Sequence, residues 1–512
     1  MKSILFSIGL SLLTVGAFAQ KQKKENVNKE PYPLGNPVIT HMYTADASPH
    51  VMPDGRVWMV TSVDHEDGGG YSTMHAYHTF SSSDMKNWVD HGEILHINDI
   101  IPENTTENEK DWALWAPDMI YKDGLYYLYY PVRILDNVAS EKAGKRIVTS
   151  YIAVAVSDSP TKRFRVVNPK IEGTKGIDPA VFIDDDGEMY LYWGEHMAAK
   201  LADNMIELAS KPVKLEVGTK RFMEAVWMNK VGEEYHISYH TKYDWKIKIT
   251  KDNYLDPDRK KSELSYSVGK SPMGPFTYAG TLNYELGTNV NNGPKSPNGP
   301  YVPWFQTQSN HGGIVEFHGQ EYLFYHTSAL SSWRQDKFEG PGTWTQRSVC
   351  IDKLNYDKGN KIIPVQQTIE GVNSVKVKQS FEQSLKLKKA KIEGRVKLVD
   401  NAILEVNGQA NVSFEKVNLG TGYYYFDLKT LEAAAYAIEI RLDSTEGELL
   451  GTIKLDDKSK ERNKGVASCF LRDAKGKRIV YLVFKSKEGN KKPLQIKDLR
   501  FFAGTPLKVN TI

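Results

Sequence analysis

The sequence predicts an all-β protein: a five-bladed β-propeller followed by a β-sandwich. Three observations carry this. One phrase recurs five times between residues 46 and 325: a titratable residue, a short apolar run, a polar turn ending in Gly, and an aromatic strand. The phrase stops by about residue 373, where Lys becomes frequent. Beyond that point some seven short alternating runs follow, which read as a sandwich.

The clearest copy of the phrase is Gly176 to Gly187, GIDPAVFIDDDG, in which Asp178 precedes the strand Glu188 to Trp193. Asp46 leads to Asp54-Gly55 and Val57 to Val60, and Asp118 leads to Asp123-Gly124 and Tyr126 to Tyr130. Glu224 leads to Val231-Gly232 and Tyr235 to Tyr239, and His311 to His318-Gly319 and Tyr322 to Tyr325. Each reads as strand, tight turn, strand, with Gly supplying the unusual backbone angle. Short strands repeated at intervals of tens of residues indicate a propeller or solenoid, and five hairpins in roughly 330 residues fit five blades of four strands. The titratable residue stands eight or nine places before the turn Gly in four copies and six before it in the Asp118 copy. The first strand of each blade lines a propeller's axis. Asp46, Asp178, Glu224 and His311 are therefore expected to converge at one mouth, with Asp118 nearby but displaced. A single Asp ahead of a strand is ordinarily a turn or capping residue. Charged groups at matched repeat positions are different, because burying them together is costly unless they have a task.

Residues 1–19 carry a targeting pattern: Lys2, a mostly apolar run from Ile4 to Val15, then Ala17-Phe18-Ala19. The run is too short for a membrane span. It predicts export to a periplasmic or extracellular location with cleavage after Ala19, and no Cys follows to accept a lipid. Residues 20–35 read as a polar lead, 36–372 as the propeller and 373–512 as the sandwich. Ser83 to Trp88, Ser157 to Pro160 and Ser271 to Phe276 read as turns between outer strands. Residues 97–112 and 131–148 read as polar insertions. Residues 284–310, rich in Gly, Asn and Pro, run straight into His311. So long a connection in a compact domain is usually a functional surface loop, with Trp304 and Phe305 placed to wall a pocket. Arg347 to Leu354 reads as a strand that closes the ring. The sandwich runs are Val412 to Val417, Tyr423 to Leu428, Tyr436 to Leu442, Leu449 to Leu455, Val466 to Leu471, Ile479 to Phe484 and Leu494 to Phe502.

Lys plus Arg is 66 against 63 acidic residues, with charges dispersed along the chain. This argues against nucleic acid or an anionic membrane surface as the main partner. The two Cys, Cys350 and Cys469, fall in different domains within apolar strand patterns and are expected as free thiols. There is no phosphate loop and no dinucleotide fingerprint, so no organic cofactor is indicated. His65-Glu66-Asp67, beside Gly68 to Gly70, reads as an exposed rim rather than a metal cluster, and His75 and His78 lack the helical zinc pattern. No Gly-x-Ser-x-Gly elbow is present. The chemistry is left to carboxylates. Two facing carboxylates can hydrolyse a glycosidic bond, one protonating the leaving oxygen and the other activating water. A third nearby can raise the acid's pKa by like-charge repulsion.

Over roughly 36–370 the chain resembles glycoside hydrolase family 43, five-bladed propellers that cleave arabinose- and xylose-containing glycans. The resemblance rests on Asn36-Pro37 with Tyr43 to Asp46, Trp115-Ala-Pro-Asp118, Gly176-Ile-Asp178-Pro179, Phe222-Met-Glu224, Asn310-His311-Gly-Gly and Arg347-Ser-Val. It implies Asp46 as general base, Glu224 as general acid and Asp178 as the residue that orients the acid and tunes its pKa. It places Trp115, Asp118 and Arg347 at the sugar site. His311 resembles an axial His that faces a central calcium or other ion, often through water, so one structural calcium is implied. Glu-Ala-Val at 224–226 departs from the common Glu-Gly-Pro but leaves the acid intact. The C-terminal part resembles a family 6 carbohydrate-binding module in Asn418 to Gly420, Ile438 to Asp443, Gly451 to Ile453, Val480 to Phe484 and Ile496 to Phe502. No clear acidic motif opens that module around 381–398, and Tyr423, Tyr424 and Tyr425 are its candidate sugar stackers. The pairing of domains resembles arabinofuranosidases that trim arabinoxylan in plant cell walls, acting with inversion. β-Xylosidase and endo-arabinanase are the alternatives within the family. A non-catalytic glycan-binding propeller is the alternative outside it, disfavoured by the complete Asp46, Asp178, Glu224 set.

Overall fold

The computed structural model describes residues 30–102, 111–242, 263–284, 309–338, 342–377, 380, 382–461, 465–486 and 492–502. The targeting segment 1–19 and the loop positions Trp304 and Phe305 lie outside these residues. Among the described residues no helix is long and apolar enough to cross a membrane.

The recurring phrase builds the blades. Blade one holds β1 (Thr44–Val51), β2 (Val57–Val63), β3 (Ala76–Ser82) and β4 (Val89–His96). Blade two holds β5 (Trp112–Leu114), β6 (Asp118–Lys122), β7 (Leu125–Leu135), β8 (Val148–Ser157) and β9 (Arg165–Asn168). Blade three holds β10 (Ala180–Ile183), β11 (Met189–Trp193), β12 (Met197–Lys200) and β13 (Val213–Lys214). Blade four holds β14 (Phe222–Val231), β15 (Glu234–Thr241), β16 (Leu264–Gly269) and β17 (Phe276–Asn283). Blade five holds β18 (Gly313–Phe317), β19 (Gln320–Thr327), β20 (Ser348–Tyr356) and β21 (Ile362–Ile363). The strands β1, β6, β10, β14 and β18 touch in that order and β18 returns to β1, so the ring closes on its inner strands. All five turn glycines, Gly55, Gly124, Gly187, Gly232 and Gly319, have φ between +57° and +90°, as the hairpin reading requires.

Closure is reinforced where residues 36–44 lie against blade five. Val38 N donates to Val349 O at 2.9 Å and Thr44 N to Arg347 O at 3.0 Å. The buried Asn36 side chain donates to Ile351 O and Thr368 O, both at 3.1 Å, and accepts from Ile351 N at 2.9 Å. The expected polar insertion at 131–148 is largely ordered structure. The strands β7 and β8 run on to frame a short helix, α1 (Asn137–Ala143), whose N-terminus is capped by Asp136. A second helix, α2 (Ala329–Asp336), follows β19.

The sandwich holds nine strands: β22 (Glu382–Ser384), β23 (Lys391–Val399), β24 (Ile403–Asn418), β25 (Tyr425–Glu432), β26 (Tyr436–Leu442), β27 (Leu449–Leu455), β28 (Val466–Phe470), β29 (Lys477–Ser486) and β30 (Leu494–Phe502). The long β24 pairs with β23, β29 and β30, and the end strands β27 and β28 touch, so the sheet nearly closes around one apolar core. The seven expected runs all become strands. The sequence reading missed β22 and β23. The strand β23 lies mostly exposed at an edge, so it leaves little alternation to read.

The two domains share apolar surface. Val51, Phe317 and Tyr322 of the propeller cluster with Tyr424 and Tyr425 of the sandwich. Tyr425 OH donates to Val51 O at 3.2 Å, and Tyr424 OH accepts from His318 N at 2.6 Å. Tyr423 is also buried, its OH donating to Ser380 O at 3.1 Å. The three tyrosines that were candidate sugar stackers are therefore core and interface residues, with no free face. Arg472 donates to Ile183 O at 2.8 Å and pairs with Asp185 across the same boundary. The later halves of the five inner strands and the sandwich residues Tyr425, Phe470 and Arg472 line one chamber of about 460 Å³. The sandwich thus covers the end of the axis opposite Asp46. Cys350 is buried in blade five and Cys469 is half-buried in the sandwich; both are free.

Tyr425→Ala is expected to cost about 3–5 kcal/mol, the range for deleting a buried large aromatic side chain. The expected readouts are a lower denaturation midpoint and unchanged kcat on a small aryl glycoside. A loss below about 1 kcal/mol would show that this contact does not hold the domains together.

Candidate active site

The inner strands do not simply point their first residues at the axis; local irregularities aim them. In β1 two residues, Asp46 and Ala47, oppose the single Thr61 of β2. In β14, Ala225 and Val226 oppose the single Tyr239 of β15, immediately after Glu224. Bulges of this kind bend a strand and redirect its side chains. Asp46, Asp178 and Ala225 all have positive φ, at 56°, 55° and 62°. For non-Gly residues this backbone costs roughly 1–2 kcal/mol each, and such strain gathers at working sites.

The result is a cavity of about 140 Å³ at the axis, walled by Asp46, Asp178, Glu224, His311, Arg347 and Trp115, with Tyr71, Met74, Ala116, Ile177 and Ser309 completing the lining. Trp115 is fixed as a wall: its Nε1 donates to Tyr71 O at 2.8 Å, and its carbonyl accepts from Tyr77 OH at 2.5 Å. Asp118 lies elsewhere. It is fully buried, accepts from Val181 N at 2.6 Å and His50 Nε2 at 2.8 Å, and takes the Ser48 hydroxyl. It ties the first three blades together, which is what its shorter spacing from the turn Gly reflects. His65 and Asp67 are exposed, as the rim reading expects.

The three carboxylates sit in different fields. Burial pushes the Asp46 carboxyl up, but Arg347, His311 and His326 outweigh it and hold it well below the usual carboxylate range. Arg347 Nη1 donates to Asp46 Oδ1 at 2.9 Å, and His311 Nδ1 lies 3.0 Å from the same oxygen. Ser62 Oγ donates to Asp46 Oδ2. Asp178 Oδ2 accepts from Ala225 N at 3.0 Å and lies 3.6 Å from His311 Nε2. Glu224 is the reverse case. Burial, and then the Asp178 charge, raise it to about 7. Its Oε1 is buried with no hydrogen-bond partner among the described residues. His311 is held protonated against its burial by Asp46 and Asp178, whereas burial and the Arg347 charge keep His326 neutral. One wall therefore carries a carboxylic acid that keeps its proton, and another an ionised carboxylate.

Asp46, His311 and His326 bring one carboxylate oxygen and two ring nitrogens within 4.8 Å of one another. Calcium takes about six to eight oxygen ligands, and Arg347 already occupies the Asp46 oxygen. The set does not fit a calcium bound directly by these side chains. An ion facing His311 would be met through water at Nε2, which has no hydrogen-bond partner among the described residues.

Four contributors escaped the sequence reading: Asp64, Ser62, His326 and Tyr71. Asp64 lies beside the His65-Glu66-Asp67 rim but is buried.

Residues 34–362 match the family described as Glycosyl hydrolases family 43, and residues 383–503 match Carbohydrate binding module (family 6). Xylosidase/arabinosidase 43A of Humicola insolens is 31% identical over 390 residues, covering 64% of this chain and 98% of its own. A xylosidase/arabinosidase of Bacteroides ovatus is 30% identical over 381 residues, covering 64% of this chain and 95% of its own. An arabinoxylan arabinofuranohydrolase of Paenibacillus polymyxa is 24% identical over 493 residues, covering 89% of this chain and 72% of its own. With the family match spanning the propeller and more than half of the sequence, the chain belongs to glycoside hydrolase family 43.

Proposed function

We propose that this glycoside hydrolase removes α-L-arabinofuranosyl groups from arabinoxylan-type plant polysaccharide with inversion of configuration. The observation that carries the reading is the pairing of a protonated Glu224 with an ionised Asp46 across one small cavity. Glu224 gives its proton to the leaving oxygen. Asp46 takes a proton from the attacking water. Asp178, anchored on Ala225 N, holds the adjoining backbone and adds its repulsion to the burial that keeps Glu224 protonated. Trp115 offers a face for the sugar ring.

The choice of sugar is supported by domain pairing. The arabinoxylan arabinofuranohydrolase aligns through both domains, whereas the two xylosidase/arabinosidase relatives cover 64% of the chain. The test is hydrolysis of aryl α-L-arabinofuranoside, aryl β-D-xyloside and whole arabinoxylan, with products identified. Faster turnover of the xyloside, with xylose released from the polysaccharide, would replace this reading with β-xylosidase. Inversion is supported by the origin of the pair in blades one and four, which are not neighbours, so that a water fits between base and sugar. Proton NMR before mutarotation should show the opposite anomer first; retention would overturn Asp46 as a base acting through water.

Glu224 works only while protonated. As pH rises through about 7 its proton is lost, so kcat/KM should fall there, about tenfold per unit beyond. Asp46 stays ionised far into acid, so no activity limb is expected near its ordinary carboxylate range. A kcat/KM flat to pH 9 would exclude Glu224 as the acid. The segment 1–19 supports export, and N-terminal sequencing of exported protein should begin at Gln20; a retained Lys2 would refute this.

A further inference from the structure

Arg347 lines the cavity, yet its guanidinium is committed to protein groups. Its side chain is fully buried. Nε donates to Asp64 Oδ2 at 2.9 Å and Nη2 to Asp64 Oδ1 at 2.8 Å, the two-pronged arrangement in which a carboxylate grips an Arg fork. Arg347 N also donates to Asp64 Oδ2 at 2.8 Å, so the same carboxylate fixes backbone and side chain together. The Tyr71 ring lies beneath the guanidinium, 5.0 Å from its carbon, and the Met74 sulfur takes Nη2 at 3.4 Å. With the fork pinned on three sides, Nη1 is left to reach Asp46 Oδ1 by a single bond at 2.9 Å.

We propose that Asp64 is a positioning residue for hydrolysis: by gripping Arg347 it restricts that guanidinium to one hydrogen bond with Asp46 and fixes the orientation in which Asp46 receives a proton from water. The proposal rests on Asp46 being the base. Arg347 Nη1 and the protonated His311 both approach Asp46 Oδ1, at 2.9 and 3.0 Å, whereas Oδ2 takes Ser62 alone. A carboxylate oxygen accepts about two hydrogen bonds, so Oδ2 is the oxygen that keeps capacity for a water. Without the Asp64 charge, Asp46 becomes the one carboxylate on this guanidinium among its described contacts. A free fork would then turn to grip Asp46 through two nitrogens, and the second would fill the position on Oδ2 that the water needs. A buried guanidinium that loses one of its carboxylates is driven toward the other, because an uncompensated buried charge is costly.

The experiment is Asp64→Asn in the full-length protein, with kcat and KM measured separately on aryl α-L-arabinofuranosides of good and poor leaving groups. The result expected is a kcat lower by about 10- to 100-fold, the range seen when a partner that orients a working group is removed, with KM within about twofold. The fall should be equal for both leaving groups, because the step affected is proton removal from water. Thermal unfolding establishes that the variant is folded. A folded variant with kcat within twofold of the parent would overturn the proposal. So would a raised KM with unchanged kcat, which would make the clamp a sugar-binding device, or a loss confined to poor leaving groups, which would place its action on Glu224. If Asp64→Asn does not fold, Arg347→Lys decides. It keeps the charge, but one ammonium cannot hold both carboxylates in this geometry, and the same lowered kcat with unchanged KM is expected. Parental kcat in Arg347→Lys would overturn the proposal. Asp46→Asn with near-parental turnover would instead overturn the underlying assignment of the base.

Discussion

Glu224→Gln should leave a folded protein whose kcat on a poor leaving group is about 10²–10⁴-fold lower, the usual worth of a positioned general acid. The side chain keeps its shape and loses only the proton it donates. The loss should shrink as the aryl leaving group becomes more acidic, because a good leaving group departs without help. The alkaline limb near pH 7 should disappear with it, since the titrating carboxyl is gone. The same substitution should protect the fold at alkaline pH, by the following balance. The folded protein holds the Glu224 proton more tightly than an unfolded chain does, because its pKa is raised. Parental stability therefore declines as pH rises from the ordinary Glu range through about 7. Gln carries no such dependence, so the gap in unfolding midpoint between variant and parent should widen in the variant's favour from pH 5 to pH 8. Near-parental kcat on a poor leaving group in a folded variant would remove Glu224 from the mechanism.

Asp46→Asn should lower turnover by a comparable factor, about 10²–10⁴-fold, but evenly across leaving groups. Water must lose its proton whichever aglycone departs, so the two substitutions are told apart by their dependence on the aglycone rather than by their size. This variant should also be less stable. Asp46 is the negative partner of Arg347 and His311 in a buried setting, and removing one partner leaves charge uncompensated. Asp64 remains on Arg347 and moderates the loss. A loss seen only with poor leaving groups would exchange the roles of Asp46 and Glu224.

The blades were legible because they repeat. Five copies of one phrase fix both the hairpins and the matched positions of Asp46, Asp178, Glu224 and His311, and these four do meet at one cavity. Their aim was not legible. It depends on the bulges after Ala45 and Glu224 and on positive φ at Asp46, Asp178 and Ala225, none of which residue identity announces. Asp118 shows the limit of the repeat argument. Its offset placed it nearby, but only packing reveals that its carboxylate is spent on Ser48, His50 and Val181. Asp64 and His326 stand outside the repeated phrase, on the second strands or beyond, where one titratable residue among many carries no signal. The tyrosines 423–425 were ambiguous for another reason: an aromatic beneath a neighbouring domain and one open to a sugar have the same pattern in sequence.

The covering of the axis by the sandwich has a consequence for traffic. Beneath the cavity the axis narrows to a void of about 20 Å³ among Asp46, Asp178, Trp227 and His311. That is room on the scale of a single water, which needs about 10–15 Å³ by a comparable measure. Below it lies the chamber roofed by Tyr425, Phe470 and Arg472. A sugar cannot pass down the axis and out through the base of the ring. Among the described residues the pocket is closed on the sandwich side, so on the proposed reading the freed monosaccharide and the trimmed polymer back out past each other along the route by which the substrate arrived. Retreat of the polymer and escape of the sugar then become sequential events, and at high product concentration the sugar should compete for that route with the next chain.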